Sequence, residues 1–166
     1  MIIKHKEQRV GVFVDVQNLY YSAKNLYQAK VNFGTLLSHT VAGRKLIRAI
    51  AYVIKAPNSL EDGFFTALQK QGFEIKSKDL QVFAGGAKKG DWDVGLSLDA
   101  IKMLNHLDVV VLVSGDGDYV PTLEYLQNNG VLVEVAAFGE TSSGKLKDAA
   151  DEFIDLSRHP RKFLIK

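Results

Sequence analysis

The sequence at positions 108–118 is DVVVLVSGDGD, and its first half is the most apolar β-branched run in the chain. A run of this kind at residues 108–113 predicts a strand that is buried on both faces of a sheet. The glycines and aspartates that follow predict a turn, and residues 119–129 have the spacing of a helix. This segment therefore predicts one strand–turn–helix unit with an acidic turn.

The same alternation extends in both directions from this unit. Buried strands are predicted at residues 10–14, 49–54 and 131–137, and helices at 19–27, 33–41, 60–71, 93–107 and 145–156. Residues 73–84 predict one or two short strands, and residues 85–90 a basic loop. Alternating strands and helices predict an α/β fold, a three-layer α/β/α sandwich with a mainly parallel central sheet. We expect one domain over residues 1–166, with its core at about 9–157 and a basic tail at 158–166.

Composition excludes several classes of protein. The 166 residues are 46% hydrophobic and 24% charged, as in ordinary globular domains. Because there is no Cys, disulfides, thiolate zinc sites and cysteine nucleophiles are excluded. The formal charge of +2 is too small to indicate a nucleic-acid partner by itself. The start lacks the apolar centre of a secretory signal, and no apolar run could span a bilayer, so we expect a cytoplasmic protein without membrane contact.

Acidic residues follow two of the predicted strands. Asp15 comes directly after the strand at 10–14, and Asp116 and Asp118 follow the strand at 108–113. If these strands are neighbours, three carboxylates converge at one sheet edge and repel one another unless a cation or proton lies between them. Oxygen ligands of this kind suit Mg²⁺ or Mn²⁺. Asp93, at the start of a predicted helix, is the natural fourth member.

A simpler interpretation of each aspartate is structural. Asp118 and Asp93 could each cap the first turn of a helix, and Asp15 could be an ordinary turn residue. Three independent caps would not, however, require two acidic loops after the two most apolar strands. Because ligands bind beyond the carboxyl ends of parallel strands, the pairing of these loops favours a metal site.

Three ordered motifs resemble one family. They are VFVDVQN at residues 12–18, KGDWDV at 89–94 and VLVSGDGDY at 111–119. Together with the segment at 150–156, they resemble NYN domains, the LabA-like branch of the PIN-like ribonucleases, over residues 10–156. This chain departs from many relatives at Val16, where they have glycine, and at Tyr119, where they have phenylalanine.

The resemblance implies a PIN-like sandwich whose aspartates bind Mg²⁺ or Mn²⁺ and activate water to cleave RNA. Carried onto this chain, the family's acidic positions and their supporting residues are Asp15, Asp93, Asp116 and Asp118, with Asn18 and Ser114 in support. Asp99 lies roughly 240° round the helix from Asp93, so a structural or solvated role is expected for it.

Basic and aromatic residues predict how RNA could be held. Lys88 and Lys89, with Lys76 and Lys78, could contact the phosphate backbone, and Trp92 is the best aromatic candidate for the site. Unpaired bases could stack on aromatic side chains, so single-stranded RNA is the expected partner. The candidate stacking residues are Tyr20, Tyr21, Tyr27, Trp92 and Tyr119. Most of them are expected to pack in the core instead, and packing is also the default role for Trp92. Amphipathic helices could equally face a second copy of the chain.

Three other functions compete with a nuclease. Nucleotide-binding enzymes are excluded by motif, since neither a G-x-G-x-x-G after the first strand nor a P-loop occurs. An aspartyl phosphotransferase ranks third, because Gln17 stands where its second acid is expected. The main alternative is a non-catalytic regulatory module that keeps the fold and binds RNA or protein.

Overall fold

The computed structural model describes residues 3–55, 62–82, 84–85 and 88–165. Its strands are β1 Arg9–Asp15, β2 Lys30–Val31, β3 Lys45–Lys55, β4 Glu74–Asp79, β5 Gln81–Val82, β6 Lys88–Lys89, β7 Val109–Val113, β8 Leu132–Ala137, β9 Glu152–Asp155 and β10 Leu164–Ile165. Its α-helices are α1 Val16–Tyr27, α2 Phe33–Val41, α3 Asp62–Lys70, α4 Asp93–Lys102, α5 Val120–Asn128, α6 Gly144–Ala149 and α7 Pro160–Phe163.

Six strands form one parallel sheet in the order β4-β3-β1-β7-β8-β9. Two antiparallel pairs, β10-β2 and β5-β6, lie outside it. Side chains of the central strands alternate between two cores: Val12 of β1 packs in the first core and Phe13 in the second. Helices α1 and α2 cover the first core, and α4, α5 and α6 cover the second. The predicted three-layer α/β/α sandwich is therefore confirmed.

Strand order reverses beside β1. The chain runs from β1 outward through β3 to β4, and then returns to the other side of β1 with β7, β8 and β9. Val14 is paired with Val113, so the carboxyl ends of β1 and β7 lie side by side. The condition on which the aspartates were expected to converge is met. This is also the switch point at which open α/β sheets bind their ligands.

Two predicted helices are shorter in the structure. The helix predicted at residues 145–156 was wrong beyond Ala149, since Ala150 is extended and Glu152–Asp155 forms the edge strand β9. The Asp151 carboxylate accepts from the Val133 amide at 2.8 Å, which aligns this segment with β8 instead of continuing the helix. The helix predicted at 93–107 ends at Lys102 and is followed by a 3₁₀ turn, Leu104–His106.

Two predictions fall partly outside the described residues. The helix predicted at 60–71 is observed as Asp62–Lys70, and Leu60 is not among the described residues. In the predicted basic loop, Gly86 and Ala87 also lie outside them. The segment predicted as a basic tail contains α7 and β10, and its Phe163 is buried in the first core.

Candidate metal centre

Asp15 joins the ends of β1 and β7. It caps α1 by accepting a hydrogen bond from the Asn18 amide at 3.3 Å. Its Oδ2 also accepts from the Ser114 hydroxyl at 3.2 Å and from the Tyr119 hydroxyl at 3.4 Å. A strand followed immediately by a helix leaves room for this one capping residue, so the carboxylate is held at the sheet edge.

The loop after β7 is fixed by short polar contacts. The Ser114 hydroxyl accepts from the Asp116 amide at 3.2 Å, and Asp116 Oδ1 accepts from the Asp118 amide at 2.9 Å. The Asn18 side-chain oxygen accepts from the Gly115 amide at 2.9 Å. A Cβ at Gly115 would lie 2.6 Å from the Ser142 hydroxyl, so the loop needs glycine to pack here. Asn18 and Ser114 thus hold the acidic loop in place, and their predicted role in supporting a metal site stays a prediction.

Asp93 enters the site from the first turn of α4. The Asp91 carboxylate accepts from the Asp93 amide at 3.3 Å. The neighbouring Trp92 donates from Nε1 to the Val53 carbonyl at 2.9 Å and packs edge-on against Tyr52. This indole therefore anchors the start of α4 to β3.

Three of the four predicted acids form one compact group. Asp93, Asp116 and Asp118 each offer an oxygen, and these oxygens all lie within 4.8 Å of one another. Asp15 is not part of this set, although it borders the same cleft of about 310 Å³. The cleft is lined by Asp15, Gln17, Asn18, Tyr21, Ser22, Asn25, Asp91, Asp93, Asp116 and Thr141.

The carboxylates disturb one another's ionisation. Burial, together with the charges of Asp116, Asp91, Asp15 and Asp118, raises the pKa of Asp93 to about 6. Burial also raises the pKa of Asp15, although its hydrogen bonds act in the opposite direction. In the described part of the chain, no Lys or Arg forms an ion pair with an acid of this cleft. Clustered, uncompensated oxygens are the donor set that a hard divalent cation prefers.

Tyr119 is a site residue whose role sequence reasoning missed. It was one of five aromatic residues considered for stacking, most of which were expected to pack in the core, and its side chain is fully buried. Burial and the nearby charges of Asp15 and Asp93 raise the pKa of its phenol, so the hydroxyl stays protonated and donates to Asp15. Its position beside the GDG turn was the available signal, since a buried tyrosine needs a partner for its hydroxyl.

Beyond Asn18, which was predicted, the cleft-lining face of α1 was also missed. Asn18, Ser22 and Asn25 all line the cleft. They are spaced at i, i+4 and i+7, which places them on one face of a helix that begins beside Asp15. Counting polar residues along that face would have found them.

The other predicted residues lie as follows. Lys88 and Lys89 form β6, paired with β5, and their role in binding RNA stays a prediction. Lys78 places its ammonium 4.5 Å from the centroid of the Trp92 ring. Asp99 is bound by the Tyr52 hydroxyl at 2.8 Å and by the Lys76 ammonium at 2.7 Å, so its role is structural. Among the described residues, no helix has the length and apolar character to cross a bilayer.

Comparison with known proteins agrees with the predicted resemblance. A family model of the NYN domain matches residues 9–157. Low amplitude and bright protein LabA from Synechococcus elongatus is 23% identical over 162 residues, which cover 92% of this chain and 86% of LabA. A crystallised protein of unknown function from Vibrio parahaemolyticus is 31% identical, with a TM-score of 0.87 over 99% of this chain and all of the other. The chain therefore belongs to the NYN domain family, in its LabA-like branch.

Proposed function

We propose that this NYN domain hydrolyses phosphodiester bonds in RNA with the help of Mg²⁺ or Mn²⁺. The observation that carries the proposal is the group of oxygens from Asp93, Asp116 and Asp118, which lie within 4.8 Å of one another. Asp93 and Asp116 of this group border an open cleft at the switch point of a parallel sheet, where substrates of such folds bind. Carboxylates packed in this way, without a positive side chain from the described residues, favour binding of a cation.

Each residue has a distinct task in this proposal. Asp93, Asp116 and Asp118 hold the cation, and Asp15 lies beside them as a further ligand or as an acceptor for water. When bound, such a cation lowers the pKa of a coordinated water and stabilises charge on the scissile phosphate. Ser114 and Tyr119 orient the Asp15 carboxylate by donating to its Oδ2. Asn18 fixes the loop that presents Asp116.

The proposed substrate is single-stranded RNA. Lys78 lies beside Trp92, next to the start of α4, and supplies a positive charge close to the acidic cleft. Lys76 is engaged by Asp99, so its charge is partly compensated. Together with Lys88 and Lys89, Lys78 would position the phosphate backbone without reading its sequence.

Cleavage of end-labelled single-stranded RNA by purified protein tests the proposal. The reaction is run with Mn²⁺, with Mg²⁺ and with a chelator, beside Asp15→Asn and Asp118→Asn. We expect cation-dependent cleavage that falls by at least about 100-fold in both variants, since each loses a charge at the cation. Asp148→Asn is the matched control, because Asp148 is an exposed carboxylate on α6, outside the residues that line the cleft.

Two outcomes would reject the nuclease. One is cleavage that persists unchanged in Asp118→Asn, which would indicate a contaminating enzyme. The other is a folded protein that cleaves nothing with either cation. The second result would favour the regulatory module, which binds RNA or protein without turnover.

A further inference from the structure

A second cavity adjoins the acidic cleft. Its volume is about 600 Å³, within the range of pockets that hold small molecules, and its lining is mostly apolar. Gln17 and Tyr21 line both cavities, so the two are adjacent. We call this second cavity the aromatic groove; among the residues that line it are Tyr20, Tyr21, Phe33, Phe64, Leu68 and Lys30.

Helix α1 separates the two cavities by presenting a different face to each. Asn18, Ser22 and Asn25 line the acidic cleft. Gln17 and Tyr20, three residues apart on the neighbouring face, line the aromatic groove. Because α1 begins directly after Asp15 and its residues line both cavities, a strand bound in the acidic cleft would lie next to the groove.

The aromatic side chains of the groove are available to a ligand. Tyr20 is 46% exposed and Tyr21 is 50% exposed, and their rings meet edge-on at 5.3 Å. An edge-on contact occupies at most one ring face of the pair. The other three candidates are engaged: Tyr119 is fully buried, Trp92 is anchored to Val53 and Tyr27 packs against Phe138 at 5.6 Å. The structure therefore separates the aromatic residues that can stack from those that pack.

The rim of the groove carries positive charge. The Lys24 ammonium lies 5.9 Å from the centroid of the Tyr20 ring, and Lys30 contributes to the lining. Lys24 and Tyr20 are four residues apart on one face of α1. Aromatic faces flanked by ammonium groups match the two parts of a single-stranded nucleic acid, its bases and its phosphates.

We propose that the aromatic groove binds unpaired bases of the RNA strand whose phosphate lies in the acidic cleft, with Tyr20 and Tyr21 as the stacking platform. This inference rests on the proposed function and names the part of the substrate that the fold holds. It predicts little sequence preference, since every base has a face that can stack. It also predicts that tight binding requires the bases of the RNA, and that the negative charge of its phosphates alone does not give tight binding.

Binding of short single-stranded RNA that contains 2-aminopurine tests this inference. Affinity and fluorescence quenching are measured for the wild type, Tyr20→Ala and Tyr20→Phe. Ca²⁺, which also takes oxygen ligands, replaces Mg²⁺ and Mn²⁺ in these measurements. We expect Tyr20→Ala to bind about 5- to 150-fold more weakly and with less quenching, and Tyr20→Phe to bind like the wild type. Tyr125→Ala on α5 is the control, because Tyr125 is 49% exposed but lies outside both cavities.

An abasic strand of equal length and charge separates stacking from electrostatics. We expect it to bind the wild type about as weakly as normal RNA binds Tyr20→Ala, and to show no further loss in that variant. The inference is overturned if Tyr20→Ala binds normal RNA like the wild type, or if the abasic strand binds as well as normal RNA. Either result would leave the groove to a protein partner.

Failure of the groove and failure of the nuclease give different results. RNA cleavage by the wild type without base-dependent binding would reject the groove and keep the nuclease. Base-dependent binding without cleavage in Mg²⁺ or Mn²⁺ would reject the nuclease and assign the groove to a non-catalytic RNA-binding domain.

Discussion

Glu134 lies inside the sheet with its charge matched, whereas the carboxylates of Asp93, Asp116 and Asp118 lie together with no positive side chain among the described residues paired to them. Arg44 contacts both oxygens of Glu134 at 2.9 Å, and the two side chains are 1% and 0% exposed. The guanidinium also donates to the carbonyls of Val41 and Thr40. Asp93, Asp116 and Asp118 instead bring three carboxylates within 4.8 Å of one another.

The paired Glu134 carboxylate stabilises the fold, whereas the unpaired carboxylates of Asp93, Asp116 and Asp118 are candidates for binding a ligand. Elsewhere in the described residues, acids meet bases: Asp108 pairs with Arg9, Glu74 with Arg48 and Asp99 with Lys76. Other carboxylates of this chain are therefore neutralised by ion pairs, but among the described residues no ion pair neutralises the carboxylates of the cleft. The proposed cation would supply the charge that balances this repulsion.

Removing one partner of the buried pair is expected to have the largest effect. Glu134→Gln leaves the Arg44 guanidinium buried without a counter-charge, and we expect the free energy of unfolding to fall by about 3–5 kcal/mol. Urea denaturation measures it. The exposed pair provides the control, since Glu74→Gln should cost no more than about 1 kcal/mol. A loss as small as that control would show that Glu134 and Arg44 are less isolated from water than their burial indicates.

Cation binding is the next effect in size. Because a ligand that binds only the folded state stabilises it, Mn²⁺ or Mg²⁺ at about 100 times its dissociation constant should add about 2.7 kcal/mol. Thermal unfolding of the wild type, Asp116→Asn and Asp118→Asn, with and without the cation, measures this gain. Both variants should lose it and Glu74→Gln should keep it. An equal gain in the wild type and both variants would place the cation elsewhere.

Loss of the Ser114 hydroxyl should weaken the site without removing a charge. This buried hydroxyl donates to Asp15 and accepts from the Asp116 amide, so it fixes the separation of two acids. We expect Ser114→Ala to lower cation affinity by about 10-fold or more, as measured by calorimetric titration. Thr122→Ala, which removes a hydroxyl that donates to Ser97 outside the cleft, should leave affinity unchanged. Equal affinities in all three proteins would contradict an orienting role for Ser114.

Local patterns predicted most of the fold and the positions of the acids. The apolar runs at β1, β3, β7 and β8 identified those strands because both of their faces are buried. The edge strand β9 is only partly buried and follows α6 directly, so its residues were assigned to a longer helix. Strand order was not predictable, since the adjacency of β1 and β7 depends on contacts between residues 99 positions apart, such as Ser114 and Asp15.

The same limit applies within the site. Position after a strand made Asp15, Asp116 and Asp118 candidate ligands, and position at the start of a helix made Asp93 one. These positions did not show which of the four lie within 4.8 Å of one another. Asp15 lies outside the compact group, and its Oδ2 instead accepts from Ser114 and Tyr119. Such hydrogen bonds depend on the positions of side chains from different elements, which one-dimensional spacing does not contain.

The smallest expected effect is the change in the free energy of unfolding caused by Asp93→Asn, and it depends on pH. The pKa of Asp93 is about 6 in the folded protein, above its ordinary value of 3.8, so folding disfavours its ionised form. As pH rises from about 4 to about 6, the unfolded chain ionises first and the wild type loses stability relative to Asp93→Asn. Because water screens this half-exposed group, we expect the variant to be more stable by only about 1 kcal/mol at about pH 7.5, with no difference below about pH 4.

Asp99→Asn serves as the control, because we expect it to change the free energy of unfolding in the opposite direction to Asp93→Asn. Although burial alone would raise its pKa, hydrogen bonds from Lys76 and Tyr52 hold the pKa of Asp99 below its ordinary value. Its ionised form therefore stabilises the fold at neutral pH, and this contribution disappears as pH falls through the lowered pKa. Asp99→Asn should thus be less stable than the wild type where Asp93→Asn is more stable. Saturating Mg²⁺ should cancel the advantage of Asp93→Asn and leave the deficit of Asp99→Asn unchanged, because only the first carboxylate lies at the proposed cation. If Mg²⁺ changes the free energy of unfolding of both variants by the same amount, the contrast between paired and uncompensated acids does not explain the site.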